Sequence, residues 1–142
     1  MSTAREVMDR LTELLTTSGD MEALGECFAE DAVALTPEGE WRGREAILGY
    51  WRTMLDAIPE SAYTPEHKYD VGDTAIDEGY WGGVNSGPIA MPDGSTIPGT
   101  GKTVKIRGTD LATVNSDGKI TEYRLYYDQL AFMEQVGLSS AP

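Results

Sequence analysis

The sequence predicts an α+β fold, a curved antiparallel sheet packed around a helical layer, and three observations carry it. Apolar residues before Pro59 recur at helical spacing in two long stretches. After Pro59 they alternate with polar residues at a period of two, as in half-buried strands. The longest stretch, Gly101 to Gly137, reads as two strands joined by a tight turn at Asn115-Ser116-Asp117-Gly118, followed by a short helix. Helices first and antiparallel strands after them place the chain in the α+β class.

Each element has its own signals. Thr3 and Glu6 fit a capping box at the start of a helix, with Val7, Leu11, Leu14 and Leu15 as its apolar stripe and Gly19 as its left-handed stop. Asp20 caps a shorter helix that buries Met21, Leu24 and Phe28. Ala32 to Thr36 is a short strand, turned by Pro37-Glu38-Gly39 toward Trp41. From Arg44 to Ile58 the spacing of Ile47, Tyr50/Trp51, Met54/Leu55 and Ile58 predicts a helix that Pro59 ends. Tyr63, His67, Tyr69 and Val71 then alternate with Thr64, Glu66, Lys68 and Asp70, a half-buried strand pattern that puts His67 on the inward parity. Gly72-Asp73 turns the chain into a strand over 74–86 whose glycines leave its facing open. Asp93-Gly94 marks a hairpin tip in the Gly/Pro-rich segment that follows.

In the organising stretch, Val104, Ile106, Gly108, Ala112 and Val114 share one parity, and Asp110 falls among them. Successive side chains alternate faces, so this set points inward. A carboxylate on an apolar face is costly unless paired, protonated or functional, which makes Asp110 the first site candidate. In the next strand Tyr123, Leu125 and Tyr127 point inward; Glu122, Arg124 and Tyr126 point outward.

The bulk properties narrow the function. A chain of 142 residues, 40% hydrophobic, reads as one domain over 1–142 with a sizeable core. A formal charge of −13 disfavours nucleic acid and anionic membranes, both of which need cationic patches. Cys27 is the single cysteine and His67 the single histidine, so neither a disulfide framework nor a transition-metal site is expected. The charged, amphipathic N-terminus lacks a secretory apolar run, and no stretch has the length of a membrane span; the expectation is a cytoplasmic protein.

Four segments in order, GDMEALGECFAEDAV, PEGEWRGREAI, TGKTV and DGKITEYRLYYDQLAFMEQVGL, resemble the SnoaL-like branch of the nuclear transport factor 2-like superfamily. The resemblance implies a cone: helices close one side of a strongly bent sheet around an apolar pocket. Ketosteroid isomerases, polyketide cyclases, limonene-epoxide hydrolases and non-catalytic binders share that fold, so fold alone does not fix function. Aligned with ketosteroid isomerase, Asp110 falls on the oxyanion-hole acid, Thr36 on the general base and Thr12 on the oxyanion tyrosine. The cyclases and epoxide hydrolases carry an acid where this chain has Leu125, and the cyclases' assisting histidine falls on Asp110. No complete constellation of these relatives is present.

Asp110 and His67 are the catalytic candidates: a carboxyl raised by burial, and an imidazole that titrates near neutrality. Thr36, Trp41, Trp51, Tyr123, Leu125 and Tyr127 are the candidates for lining a substrate pocket, with hydroxyls and indole N–H groups to orient a ligand. The plain alternatives are a bonded structural aspartate, a strand-edge histidine and ordinary core aromatics. Asp128 reads as the N-cap of the last helix. The leading functional expectation is a small cofactor-independent enzyme acting on a hydrophobic carbonyl- or epoxide-bearing metabolite, of isomerase, cyclase, dehydratase or hydrolase type. The alternatives are a non-catalytic small-molecule binder and a protein-interaction domain. A homodimer through the outer sheet face is also expected, with Lys105 and Arg107 set against Glu122, beside Arg124 and Tyr126.

Overall fold

The computed structural model describes residues 2–138. Helix α1 (Ala4–Glu13) opens with the capping box: Glu6 N–H donates to Thr3 Oγ1 and Thr3 N–H to Glu6. Val7, Met8 and Leu11 form its buried face. The helix continues as a π-helical turn, Leu14–Ser18, that ends on Gly19 at φ 63°, the left-handed conformation glycine adopts without strain. Asp20 caps α2 (Met21–Glu26) by accepting from Ala23 N–H. Strand β1 (Phe28–Thr36) and β2 (Gly39–Arg42) form a hairpin, and α3 (Arg44–Ala57) lays Ile47, Tyr50 and Trp51 over the sheet.

Strands β3 (Ser61–Val71), β4 (Thr74–Val84), β7 (Thr103–Val114) and β8 (Ile120–Tyr127) form an antiparallel meander. Between β4 and β7 the hairpin of β5 (Ile89–Ala90) and β6 (Thr96–Ile97) turns at Asp93-Gly94. Buried Asn85 pins this segment through bonds to Ala57 and Gly87 carbonyls and from Thr100 N–H. Helix α4 (Gln129–Gln135) follows β8, capped as expected by Asp128, whose carboxylate accepts from Ala131 N–H at 3.0 Å.

Among the described residues six strands make one sheet in the order β2-β1-β8-β7-β4-β3. The sheet is mixed rather than wholly antiparallel, because β1 lies parallel to β8, with Ala34 opposite Tyr123. Side-chain alternation reports which residues face the core but not the direction of a neighbouring strand, so the sequence pattern could not reveal this.

The inward parities on β7 and β8 are as the sequence indicates: Val104, Ile106, Ala112 and Val114 are buried, as is Tyr123. On β3 they are not. The register steps between Pro65 and His67, leaving Glu66 as an extra residue. A bulge of one residue exchanges the faces of everything after it. Tyr63 therefore sits opposite inward-facing Trp81, whereas His67 sits opposite Glu78 on the outer face, with its side chain 57% exposed. The inner parity passes to Lys68 and Asp70, which reach α1.

Buried apolar residues fall into two clusters. One joins α1, α2, α3 and the β1/β8 side of the sheet around Met8, Leu11, Phe28, Ile47 and Tyr123. The other joins Ile58, Ile89, Val104, Ile106, Phe132 and Val136 under α4. The space between them is the site.

Candidate functional site

A cavity opens at the seam of the two clusters. Trp51, Leu55 and Tyr123 line it from the first; Trp81, Ile106, Tyr127 and Phe132 line it from the second. The volume open to the centre of a water-sized sphere is about 100 Å³. Its floor is cleared by Gly79 on β4 and Gly108 on β7, which face each other across the ladder. A Cβ on Gly79 would lie 2.3 Å from the Thr64 carbonyl oxygen and 2.9 Å from the Tyr63 hydroxyl, so only glycine lets Tyr63 lie down in the cavity.

Asp110 lines this cavity from β7. Tyr123 O–H donates to Asp110 Oδ2 at 2.7 Å. Burial pushes the carboxyl up to about 7; the Tyr123 bond opposes the rise, and the negative charge of Asp77 adds to it. Near neutral pH the group is thus divided between acid and base, the condition in which a carboxyl transfers protons most readily. Tyr123 is itself fully buried, braced edge-on by Trp51 and Phe28, and its hydroxyl is pushed upward by burial and by Asp110.

Among the described residues, four buried side-chain atoms lack a hydrogen-bond partner, and three of them belong to residues lining this cavity: Trp51 Nε1, Ser61 Oγ and Tyr63 Oη. Native interiors leave few such groups, each at a cost of roughly 1–3 kcal/mol, so three in one place set this cavity apart from ordinary core.

Of the sequence-derived site residues, Asp110, Trp51, Tyr123, Leu125 and Tyr127 come together around the cavity. Three others are elsewhere. His67 is turned out by the β3 bulge, stacked on Tyr69 with ring centroids 6.2 Å apart. Thr36 and Trp41 belong to the rim instead of the lining: in the β1–β2 hairpin, Trp41 Nε1 donates to Thr36 Oγ1 at 3.2 Å, and the Trp41 ring lies on Tyr50. The hairpin turn folds them against α3, away from the seam.

Two features were missed. Glu38, at the hairpin tip, accepts from Tyr50 O–H at 2.8 Å, from Tyr127 O–H and from Gln129 Nε2 at 3.3 Å, tying the hairpin to α3, β8 and α4 at the cavity's edge. Burial and this carboxylate push the Tyr50 and Tyr127 hydroxyls upward. Asp77, on β4, is 1% exposed and paired in register with Asp110. Its parity with Ala75 and Gly79 was the available signal, hidden because the glycines left the facing of that strand open.

The fold is of the α+β class: N-terminal helices and, among the described residues, a six-strand mixed sheet around the cavity. The SnoaL-like domain model matches residues 8–123, and the chain belongs to that family. Among solved structures it is similar to a candidate SnoaL-like polyketide cyclase from Jannaschia sp. CCS1, with TM-score 0.82 and 21% identity over 98% of this chain and 93% of the other. It is also similar to IdmH, a candidate polyketide cyclase from Streptomyces antibioticus, with TM-score 0.76 and 26% identity over 96% and 99%. A third is a protein of ketosteroid isomerase-like fold from Catenulispora acidiphila DSM 44928, crystallised with trimethylamine, with TM-score 0.76 and 24% identity over 99% and 100%. No curated protein matches the sequence. Among the described residues no helix is long and apolar enough to cross a membrane.

Proposed function

We propose that the chain is a small enzyme performing acid–base chemistry with its own side chains on a hydrophobic metabolite that bears a carbonyl or epoxide oxygen. The observation that carries this is Asp110: a carboxyl inside an apolar cavity, bonded by Tyr123, with its neutral form favoured up to about pH 7. A neutral carboxyl donates a hydrogen bond to an oxygen that gains negative charge as the reaction proceeds, and such donors act most strongly where water is excluded. The unpartnered Trp51 N–H and Tyr63 O–H supply further donors in the same cavity, and its aromatic walls suit a flat ring system. The candidate polyketide cyclases among its structural neighbours support cyclisation chemistry within this class.

A second reading, a non-catalytic binder, is favoured by one observation. Thr36 and His67 are outside the cavity's lining, and Leu125 stands where cyclases of the family carry an acid, so among the described residues Asp110 is the lining's one carboxyl or imidazole.

A panel of aromatic and polycyclic ketones and epoxides, followed by thermal shift and product analysis, separates the two. Asp110→Asn keeps a hydrogen-bond donor but cannot transfer a proton; Asp110→Leu removes both. The enzyme reading expects turnover to fall in both variants and ligand affinity to fall mainly in the leucine variant. Binding without turnover in the native protein assigns it as a binder, and turnover undiminished in Asp110→Leu overturns the assignment of Asp110.

A further inference from the structure

The strongest unexplained group is the second carboxylate behind the cavity. Asp77 lies directly across the β4–β7 ladder from Asp110. Side chains opposed in this way have Cβ atoms roughly 5 Å apart, and like charges there repel. Asp77 is 1% exposed, and its Oδ2 is buried with no partner. Its other oxygen is held by Arg5, from the first turn of α1, at 2.5 Å.

Arg5 does not belong to Asp77 alone. It also bonds Asp70 at 2.9 Å and Asp9 at 3.1 Å, and donates to the Tyr69 and Ile76 carbonyls. Lys68 pairs with Asp9 at 2.9 Å. Two cations therefore face three carboxylates, and the deepest of the three is the one next to Asp110. Burial of Asp77 has no account in packing, since an asparagine or leucine would fill the same place without a buried charge.

We propose that Asp77, anchored by Arg5, is a positioning residue of the site: its shared cation leaves a charge that reinforces the hold of the buried Asp110 on its proton until a substrate oxygen takes up that hydrogen bond. The inference rests on the reading of Asp110 as the working acid. The other groups around Asp110 fit it. Tyr123 on β8 donates to it, Tyr63 on β3 has its hydroxyl held in the neutral form by burial and by the Asp110 and Asp77 charges, and Arg5 is the cation facing it from α1. From α3 comes Trp51, which carries no charge, and Tyr50, whose hydroxyl is committed to Glu38. Burial raises the Asp110 carboxyl most and the Tyr123 bond opposes it; the balance of Asp77 against Arg5 adjusts that rise, and removing the Asp77 charge tips it toward the cation.

The test reads the Asp110 carboxyl carbon by ¹³C NMR across a pH titration of the whole chain, in the native protein and in Asp77→Asn. The acid ionisation constant of Asp110 is expected to rise about threefold or more in the variant, a midpoint lowered by about half a unit. A smaller change, or one in the opposite direction, overturns the proposal. Should Asp77→Asn fail to fold, the native titration decides: the Asp77 carbon is expected to move with the Asp110 midpoint, as interacting sites do, and an Asp77 resonance indifferent to that midpoint overturns it. The two readings fail separately. If the carbons titrate together but no compound binds or turns over, Asp77 keeps its role and the enzyme reading falls; if catalysis depends on Asp110 while Asp77→Asn leaves its titration unchanged, the reverse holds.

Discussion

Replacing Asp110 by asparagine should stabilise the protein, and by an amount that grows with pH. Asparagine keeps the size of the side chain and an acceptor for Tyr123, but never ionises. In the native chain the folded state holds the Asp110 proton up to about pH 7, whereas the ordinary value is 3.8. The folded state therefore binds more protons than the unfolded state between those limits, and the stability from this group falls as pH rises through them. At about 1.4 kcal/mol per unit, the full window is worth at most about 4 kcal/mol. The lower part is impractical, since an acidic chain loses its solubilising charge as its carboxylates protonate. Between pH 5.5 and 8 about 2 kcal/mol remains, on the same rate per unit. Urea unfolding of both proteins at matched pH reads it as a difference, which cancels groups common to both. That cancellation matters, because Glu6 and Asp9, held down by the Thr3 bonds and by Lys68 and Arg5 respectively, contribute stability that is lost as pH falls. A stability difference flat from pH 5.5 to 8, or one that favours the native chain at high pH, refutes the raised carboxyl and with it the proposed chemistry.

Three further outcomes are expected. Asp128→Ala should cost about 1 kcal/mol of stability, the usual loss for an N-cap, and leave ligand affinity unchanged; lost binding without lost stability would mean the helix cap is also part of the site. Glu38→Ala frees the Tyr50 and Tyr127 hydroxyls at the cavity edge and should raise ligand dissociation rates while changing Asp110 titration little; unaltered binding kinetics would remove Glu38 from the site. The outer sheet face should join two copies of the chain. Lys105 and Arg107 lie over the Tyr80 ring, Arg107 reaches Glu66, and Arg124 pairs with Glu122, so both charge signs stand ready on one exposed surface beside Tyr126. Sedimentation at tens of micromolar protein should show a dimer that Arg107→Glu with Arg124→Glu dissociates; a monomer in the native chain ends that proposal.

The parts of this molecule legible in its sequence are those written by local rules. The Thr3–Glu6 box, the Gly19 stop and the Asp128 cap each depend on residues three or four apart, and each is present as read. Asp110 was legible because β7 is regular: parity carried from Val104 to Val114 without a break. His67 was misread because one extra residue at Glu66 changes every facing beyond it, and nothing local distinguishes a bulged strand from a straight one. The same bulge explains why the Asp77 cluster was invisible. Only after Lys68 and Asp70 turn inward can they join Arg5 and Asp9, residues separated from them by most of the N-terminal half of the chain. The bulge thus misplaced the histidine and hid the acid cluster around Arg5, while the open facing of the glycine-bearing β4 hid Asp77 itself. Without the bulge, His67 would fall opposite Asp77 on the inner face, and Lys68 and Asp70 would point outward, leaving Arg5 with fewer acids to share. With it, the inner face loses its imidazole, and Arg5 is shared among Asp77, Asp70 and Asp9 beside Asp110. A chain that turns its one imidazole outward and sets two carboxyls face to face across a ladder leaves Asp110 as the carboxylic acid that lines the cavity.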